Sequence, residues 1–244
     1  VAAIPLDDPD RAAVELDRAL ADGLRLAWLP SSAPGGRSPG HPAHDPIWAR
    51  LCEAQVPFVL HVGSDRLAIG DEWMNDGIEG RRTARGGAEV VGSKDMTTIF
   101  HSAERFLSVL VLDGVLERFP QLRGACVELG AGWVPSMITR LDHIATIWAR
   151  SEPHLADFAR PPSQQIAQQV RFTPYPFEDV GALIAQSDPR LYLFSTDYPH
   201  AEGGRDPMGR FDRSLTAAGF GPGDAAVDRF YAANFADLMC LDTA

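Results

Sequence analysis

The sequence predicts an α/β fold in which parallel strands alternate with helices, the pattern of an open doubly wound sheet or a (β/α) barrel. Three observations lead there. Short apolar runs alternate with amphipathic stretches, giving six strands and six helices joined by right-handed crossovers. No G-x-G-x-x-G follows the first strand and no Walker sequence occurs, which weighs against the nucleotide-binding sheet. Several strands close on ionisable residues, as expected where sites gather at the carboxyl face of a barrel.

In order, residues 1–6 read as the tail of an apolar strand, and Asp7-Asp-Pro-Asp10 as a helix start. Ala13, Leu16 and Leu20 recur at helical spacing up to Gly23. Residues 24–29 form the next strand, and 31–44, rich in Ser, Gly and Pro, a loop. Asp45 before Pro46 is expected to cap a helix over 47–55, and 57–63 is a short buried strand. The stretch 64–100 lacks periodicity and is expected to be a lid or insertion, with a plain surface excursion an equal reading. Leu112, Val115, Leu116 and Phe119 share one helical face up to Pro120. Strands follow at 122–130, 170–175 and 191–197, and helices at 135–150, 178–186 and 228–240.

With 244 residues and 45% hydrophobic content, the chain suits a single domain over 1–244 with one sizeable core. A formal charge of -11, from 22 basic and 33 acidic residues, argues against a nucleic-acid partner. Cys52, Cys126 and Cys240 are odd in number and widely spaced, so a reducing cytoplasm fits better than a disulfide framework. No apolar run reaches the ~20 residues a membrane helix needs.

Four ionisable residues sit at or just beyond strand ends. His61 closes its strand with Val59 on the same face, although a core histidine bonded to backbone would explain it alone. Glu128 closes another, with Cys126 on its face; a salt bridge to a loop arginine is the plain alternative. Asp197 ends the strand Leu191-Tyr-Leu-Phe-Ser-Thr-Asp197, where helix capping competes, and His200 follows in the turn. A barrel would bring these ends together.

Phe194-Ser-Thr-Asp197-Tyr-Pro-His200, the His61 strand, Glu128-Leu-Gly-Ala-Gly-Trp133, Arg140-Leu-Asp142 and the closing Phe230-Tyr-Ala-Ala-Asn234 together resemble the amidohydrolase-related family, in its aminocarboxymuconate-semialdehyde decarboxylase-like branch. The resemblance runs along nearly the whole chain. It implies a distorted (β/α)8 TIM barrel with a divalent metal at its carboxyl mouth, most often Zn²⁺, with Mn²⁺ the alternative. By the same resemblance His61 matches the metal-binding histidine of strand five, and Asp197 the acid of strand eight that binds metal and moves a proton. The implied activity is hydrolysis or decarboxylation of a small carboxylic or aromatic substrate, with a homodimer as the implied assembly. Bound metal would bring the pKa of its water to about 7 or stabilise charge as carbon dioxide leaves.

Two departures follow. The family's first strand carries a His-x-His pair, which this sequence lacks; His41-Pro-Ala-His44 has another spacing and lies in a loop. Counted against the family, residues 1–6 correspond to strand three, so about strands three to eight are expected here, consistent with Val rather than Met at position one. Such an open sheet is expected to be covered by a partner chain or to be less stable. Glu128 stands where many members place histidine, as metal ligand, base or substrate contact. Within this chain His61, Glu128 and Asp197 form the expected metal set, with Asp197, Glu128 and His200 as the catalytic groups. Arg66, Arg81, Arg82 and Arg85 of the insertion are candidate contacts for a substrate carboxylate. A metal-free pseudoenzyme or binding subunit, and a glycosidase using Glu128 and Asp197 as paired carboxylates, are the competing readings.

Overall fold

The structure, a computed structural model, describes residues 1–63, 69, 71–78, 92–200 and 203–241. Five parallel strands lie side by side in chain order: β1 (Ala2–Ala3), β2 (Ala27–Trp28), β3 (Phe58–His61), β4 (Gly124–Val127) and β5 (Val170–Phe172). The helices between and after them are α1 (Pro9–Ala21), α2 (Asp45–Glu53), α3 (Asp71–Met74), α4 (Ser93–Met96), α5 (His101–Leu112), α6 (Val115–Arg118), α7 (Val134–Trp148) and α8 (Pro162–Gln169). Then come α9 (Val180–Gln186), α10 (Pro207–Ala217), α11 (Ala225–Asp228) and α12 (Asn234–Leu238), the last two joined by a π-helical turn at Arg229–Ala233. Among the described residues the sheet is open, with β1 at one edge.

Local chemistry explains the helices that back it. Asp8 caps α1 by accepting the Arg11 N–H at 3.1 Å, Pro9 opens the helix, and Ala12, Leu16 and Ala19 form its buried stripe. On α7 the stripe is Met137, Ile138, Leu141 and Ala145. These helices cover one face of the sheet, where Phe58, Leu60, Cys126 and Phe172 join the main core. Gly124 permits the close approach of β4 to β3, since a methyl there would stand 2.2 Å from the Phe58 ring. Val59, His61, Ala125 and Val127 alternate with these core residues and turn to the other face, where Ala125 packs with Leu193 and Leu238. Register places His61 beside Val127 and Cys126 beside Phe172, so β3 and β4 end level and β5 one residue earlier.

Four expectations need correction. The sixth strand is an extended segment joined to β5 by one bridge, Phe172 with Tyr192. Leu193 N–H still donates to the Phe172 carbonyl, but Phe194 N–H turns to the Phe230 carbonyl, each at 2.9 Å, so pairing stops. The buried Asn234 amide holds this segment by donating to the Pro189 and Tyr192 carbonyls at 2.7 and 2.9 Å. The expected helix through Leu112 and Phe119 breaks at Gly114, whose φ of 72° ends α5 and starts α6. Asp45 is the first residue of α2 rather than its cap, because a 3-10 turn at Pro42–His44 feeds the helix directly and the Asp45 carboxylate pairs with Arg118 at 3.0 Å. The C-terminal helix begins earlier than residue 228, at Ala225, capped by Asp224. Most of the 64–100 insertion, including Arg66, Arg81, Arg82 and Arg85, lies outside the described residues.

Candidate active site

His61 is the last residue of β3, on the face away from Phe58 and Leu60. Glu128 follows β4 immediately and takes a left-handed backbone, φ 57°, uncommon for a side chain other than glycine. That turn breaks the alternation along the strand. Cys126 stays in the helix-side core while the Glu128 carboxylate reaches His61, so the two do not share a face as the period of two predicts. Neighbours hold the turn: Glu128 N–H donates to Thr173 Oγ1 at 3.1 Å, and its carbonyl accepts the Tyr175 hydroxyl at 2.9 Å. Asp197 is also left-handed, φ 54°, and its carbonyl accepts the His200 N–H at 2.8 Å.

The Glu128 carboxylate lies between two imidazoles. Oε2 is 2.7 Å from His61 Nε2 and Oε1 is 2.9 Å from His200 Nδ1. His200 Nδ1 is also 3.6 Å from Asp197 Oδ1. His61 Nδ1 lies 2.8 Å from the Val62 carbonyl, which can only accept, so Nδ1 carries the proton and Nε2 faces the acid. A histidine held this way offers Nε2 either as an imidazolium donor or as a ligand. The hydrogen bond from His61 holds the Glu128 carboxyl below its ordinary range, against the opposing effect of burial and helped by the charges of His61 and His200. The acids are the sheltered members, with 17% of the Glu128 and 12% of the Asp197 side chain exposed against 39% for His61 and 32% for His200.

One ligand atom from each of Glu128, Asp197 and His200 lies within 4.8 Å of the others. Two carboxylates so close need a countercharge, and two oxygens with a nitrogen form a donor set that fits a divalent cation. Of the four residues singled out in the sequence, the structure brings these three into coordinating reach, and His61 joins through Glu128. The plain alternatives fare differently. No arginine takes Glu128 among the described contacts, and the cap of α10 is Asp206 rather than Asp197. His61 does bond backbone, but also the acid. His44 is buried against the Leu6 carbonyl at 3.1 Å, a contact of the fold.

Sequence reasoning missed the groups behind Glu128. Glu178, expected inside a helix, precedes α9, which Asp179 caps by accepting the Ala182 N–H at 3.0 Å. Its carboxylate accepts the backbone N–H groups of Tyr175 at 2.6 Å, Ala131 at 3.0 Å and Gly132 at 2.7 Å. Burial pushes the Glu178 carboxyl up, and these three bonds pull it back. Trp133 Nε1 donates to the Leu129 and Gly130 carbonyls at 3.2 and 3.0 Å. The signal available in the sequence was the pair Gly130 and Gly132, whose bare backbones admit a carboxylate: a Cβ would stand 3.2 and 3.0 Å from Glu178 Oε1.

Comparison with known proteins gives this geometry a setting. A family model described as Amidohydrolase matches residues 1–238. Decarboxylase orsB of Emericella nidulans is 25% identical over 202 residues, covering 81% of this chain and 57% of that protein. Gamma-resorcylate decarboxylase of Rhodococcus jostii is 29% identical over 156 residues, 58% of this chain and 42% of that one. The chain thus spans about half the length of the curated relatives it matches. Among solved structures, amidohydrolase map2389c of Mycobacterium avium subsp. paratuberculosis superposes with a TM-score of 0.77 at 28% identity, over 99% of this chain and 57% of that one. A dihydroxybenzoic acid decarboxylase of Polaromonas sp. JS666, holding manganese and the inhibitor 2-nitroresorcinol, shares the fold with a TM-score of 0.63 at 20% identity, over 99% of this chain and 68% of that one.

Proposed function

The chain belongs to the amidohydrolase family, and from that premise we propose that it serves a divalent-metal-dependent decarboxylase of small aromatic carboxylic acids. The observation that carries the reading is the convergence of Glu128, Asp197 and His200 donor atoms within 4.8 Å, with His61 against the same acid. Manganese or zinc suits two carboxylates with imidazole nitrogen. When bound, the cation would anchor the substrate's oxygen atoms and offset the charge that develops as carbon dioxide leaves.

The chain's own groups account for the proton. Asp197 Oδ1 and His200 Nδ1, 3.6 Å apart, are close enough for a small shift to pass a proton between them. Decarboxylation needs one proton delivered to the ring carbon that loses its carboxylate, and Asp197, the more sheltered of the pair, delivers it while His200 resupplies it from the rim. Glu128 holds His200 in place through Oε1 and His61 through Oε2. In hydrolysis the same pair would instead take a proton from water.

The reading extends to a cytoplasmic setting, supported by three free thiols. The acidic charge weighs against a nucleic-acid partner, and a small-molecule substrate and a homodimer belong to the same reading.

The full-length protein stripped of metal and reloaded with Mn²⁺ or Zn²⁺, then assayed for carbon dioxide release from 2,6-dihydroxybenzoate and related hydroxybenzoates, tests it. Stoichiometric metal with metal-dependent release is expected. A folded protein that takes up neither ion and consumes none of these acids would instead support a metal-free binding subunit.

A further inference from the structure

We propose that Glu178 is the positioning residue of this site: its carboxylate locks the turn after β4 and thereby fixes where Glu128 points. The acid reaches the turn from two directions. Upstream it accepts the Tyr175 N–H at 2.6 Å, and the Tyr175 hydroxyl donates to the Glu128 carbonyl at 2.9 Å. Downstream it accepts the Ala131 and Gly132 N–H groups, which end the same turn.

Three features make this more than a local loop contact. The left-handed backbone at Glu128 is disfavoured for a residue with a Cβ, so outside bonds must hold it. Those bonds come across from the segment after β5, through Thr173, Tyr175 and Glu178, whereas the Trp133 bonds stay within the turn. The acceptor must also be a carboxylate. Three backbone N–H donors face it, and the 15-residue helix α7 starts just beyond Gly132, presenting its positive end. A glutamine would keep the shape but set amide hydrogens against those donors. As far as catalysis is concerned the inference rests on the reading above; as a statement about Glu128 and His200 it stands alone.

The test is Glu178→Gln in the full-length protein, beside Asp179→Ala, which removes the neighbouring cap of α9 and touches nothing in the turn. Three quantities are measured: the NMR signal of the His200 Nδ1–H bonded to Glu128, Mn²⁺ affinity by titration, and the thermal midpoint. E178Q is expected to shift or lose the His200 signal and to weaken Mn²⁺ binding by about tenfold or more, while D179A lowers the midpoint with both left intact. An E178Q protein with a lowered midpoint but an unchanged signal and affinity would overturn the proposal. Should E178Q not fold, Tyr175→Phe removes only the hydroxyl link; a shifted His200 signal there sustains the proposal and an unchanged one refutes it. Where even the unsubstituted protein takes up neither Mn²⁺ nor Zn²⁺, the decarboxylase reading fails and the His200 signal alone decides the role of Glu178.

Discussion

At the amino end of the sheet, Asp237 of α12 meets Arg171 of β5 and Arg123, the residue before β4; at the carboxyl end, Glu128 meets His61 and His200. Both are acids held between two cations or potential cations, at opposite ends of β4, yet they do different work. Arg171 is almost wholly buried and also donates to the Ala167 and Val170 carbonyls at 3.1 and 3.0 Å. Burial pushes its guanidinium down and the Asp237 charge pulls it back, but an arginine stays charged in either case. That cluster can only fasten the C-terminal helix to the sheet. Imidazoles gain and lose protons near neutrality, so the carboxyl-end cluster can exchange protons or hold a cation. The acid's partners, rather than the acid, separate a clamp from a site.

Substitutions at the two ends should part along that line. Asp197→Asn is expected to lower carbon dioxide release by about 10²–10⁴-fold, the usual worth of a positioned acid or base, with the unfolding midpoint close to that of the unsubstituted protein. Activity retained in D197N would erase the contrast. Asp237→Asn is expected to do the reverse, costing about 1–3 kcal/mol in urea unfolding, below the value for a fully buried pair because 45% of the Asp237 side chain is exposed. Turnover per folded molecule should stay unchanged in that variant, and a loss of turnover matching D197N would show the clamp to be part of the site.

The smallest effect lies in pH. Glu128 binds its proton less tightly folded than unfolded. Its contribution is therefore complete above the ordinary carboxylate pKa of about 4.3 and disappears as pH falls through the lower folded value. In metal-free protein, the thermal midpoints of the unsubstituted chain and Glu128→Gln should differ near neutral pH and converge in strong acid. A gap that persists in acid would mean that Glu128 acts through shape rather than charge.

Helices α1 and α7 were legible because a stripe at helical spacing and a capping acid or early proline are local facts. The last strand was not: its apolar alternation is real, but pairing needs a neighbour in register, and the Phe230 carbonyl takes the next N–H first. The four residues at the site could be named from their places at strand ends. Their arrangement could not, since the left-handed turns at Glu128 and Asp197 abolish the period of two just where the chemistry begins.

The sequence by itself determined the alternation of strand and helix, the apolar face each helix buries, and the ionisable residues at the strand ends, because each depends on residues within a few positions of one another. Only the tertiary structure decided that Glu128 lies between His61 and His200, and that Glu178 bonds a turn about 46 residues away. A hydrogen bond between distant segments depends on which backbone groups the packed helices leave over, and no local pattern records that.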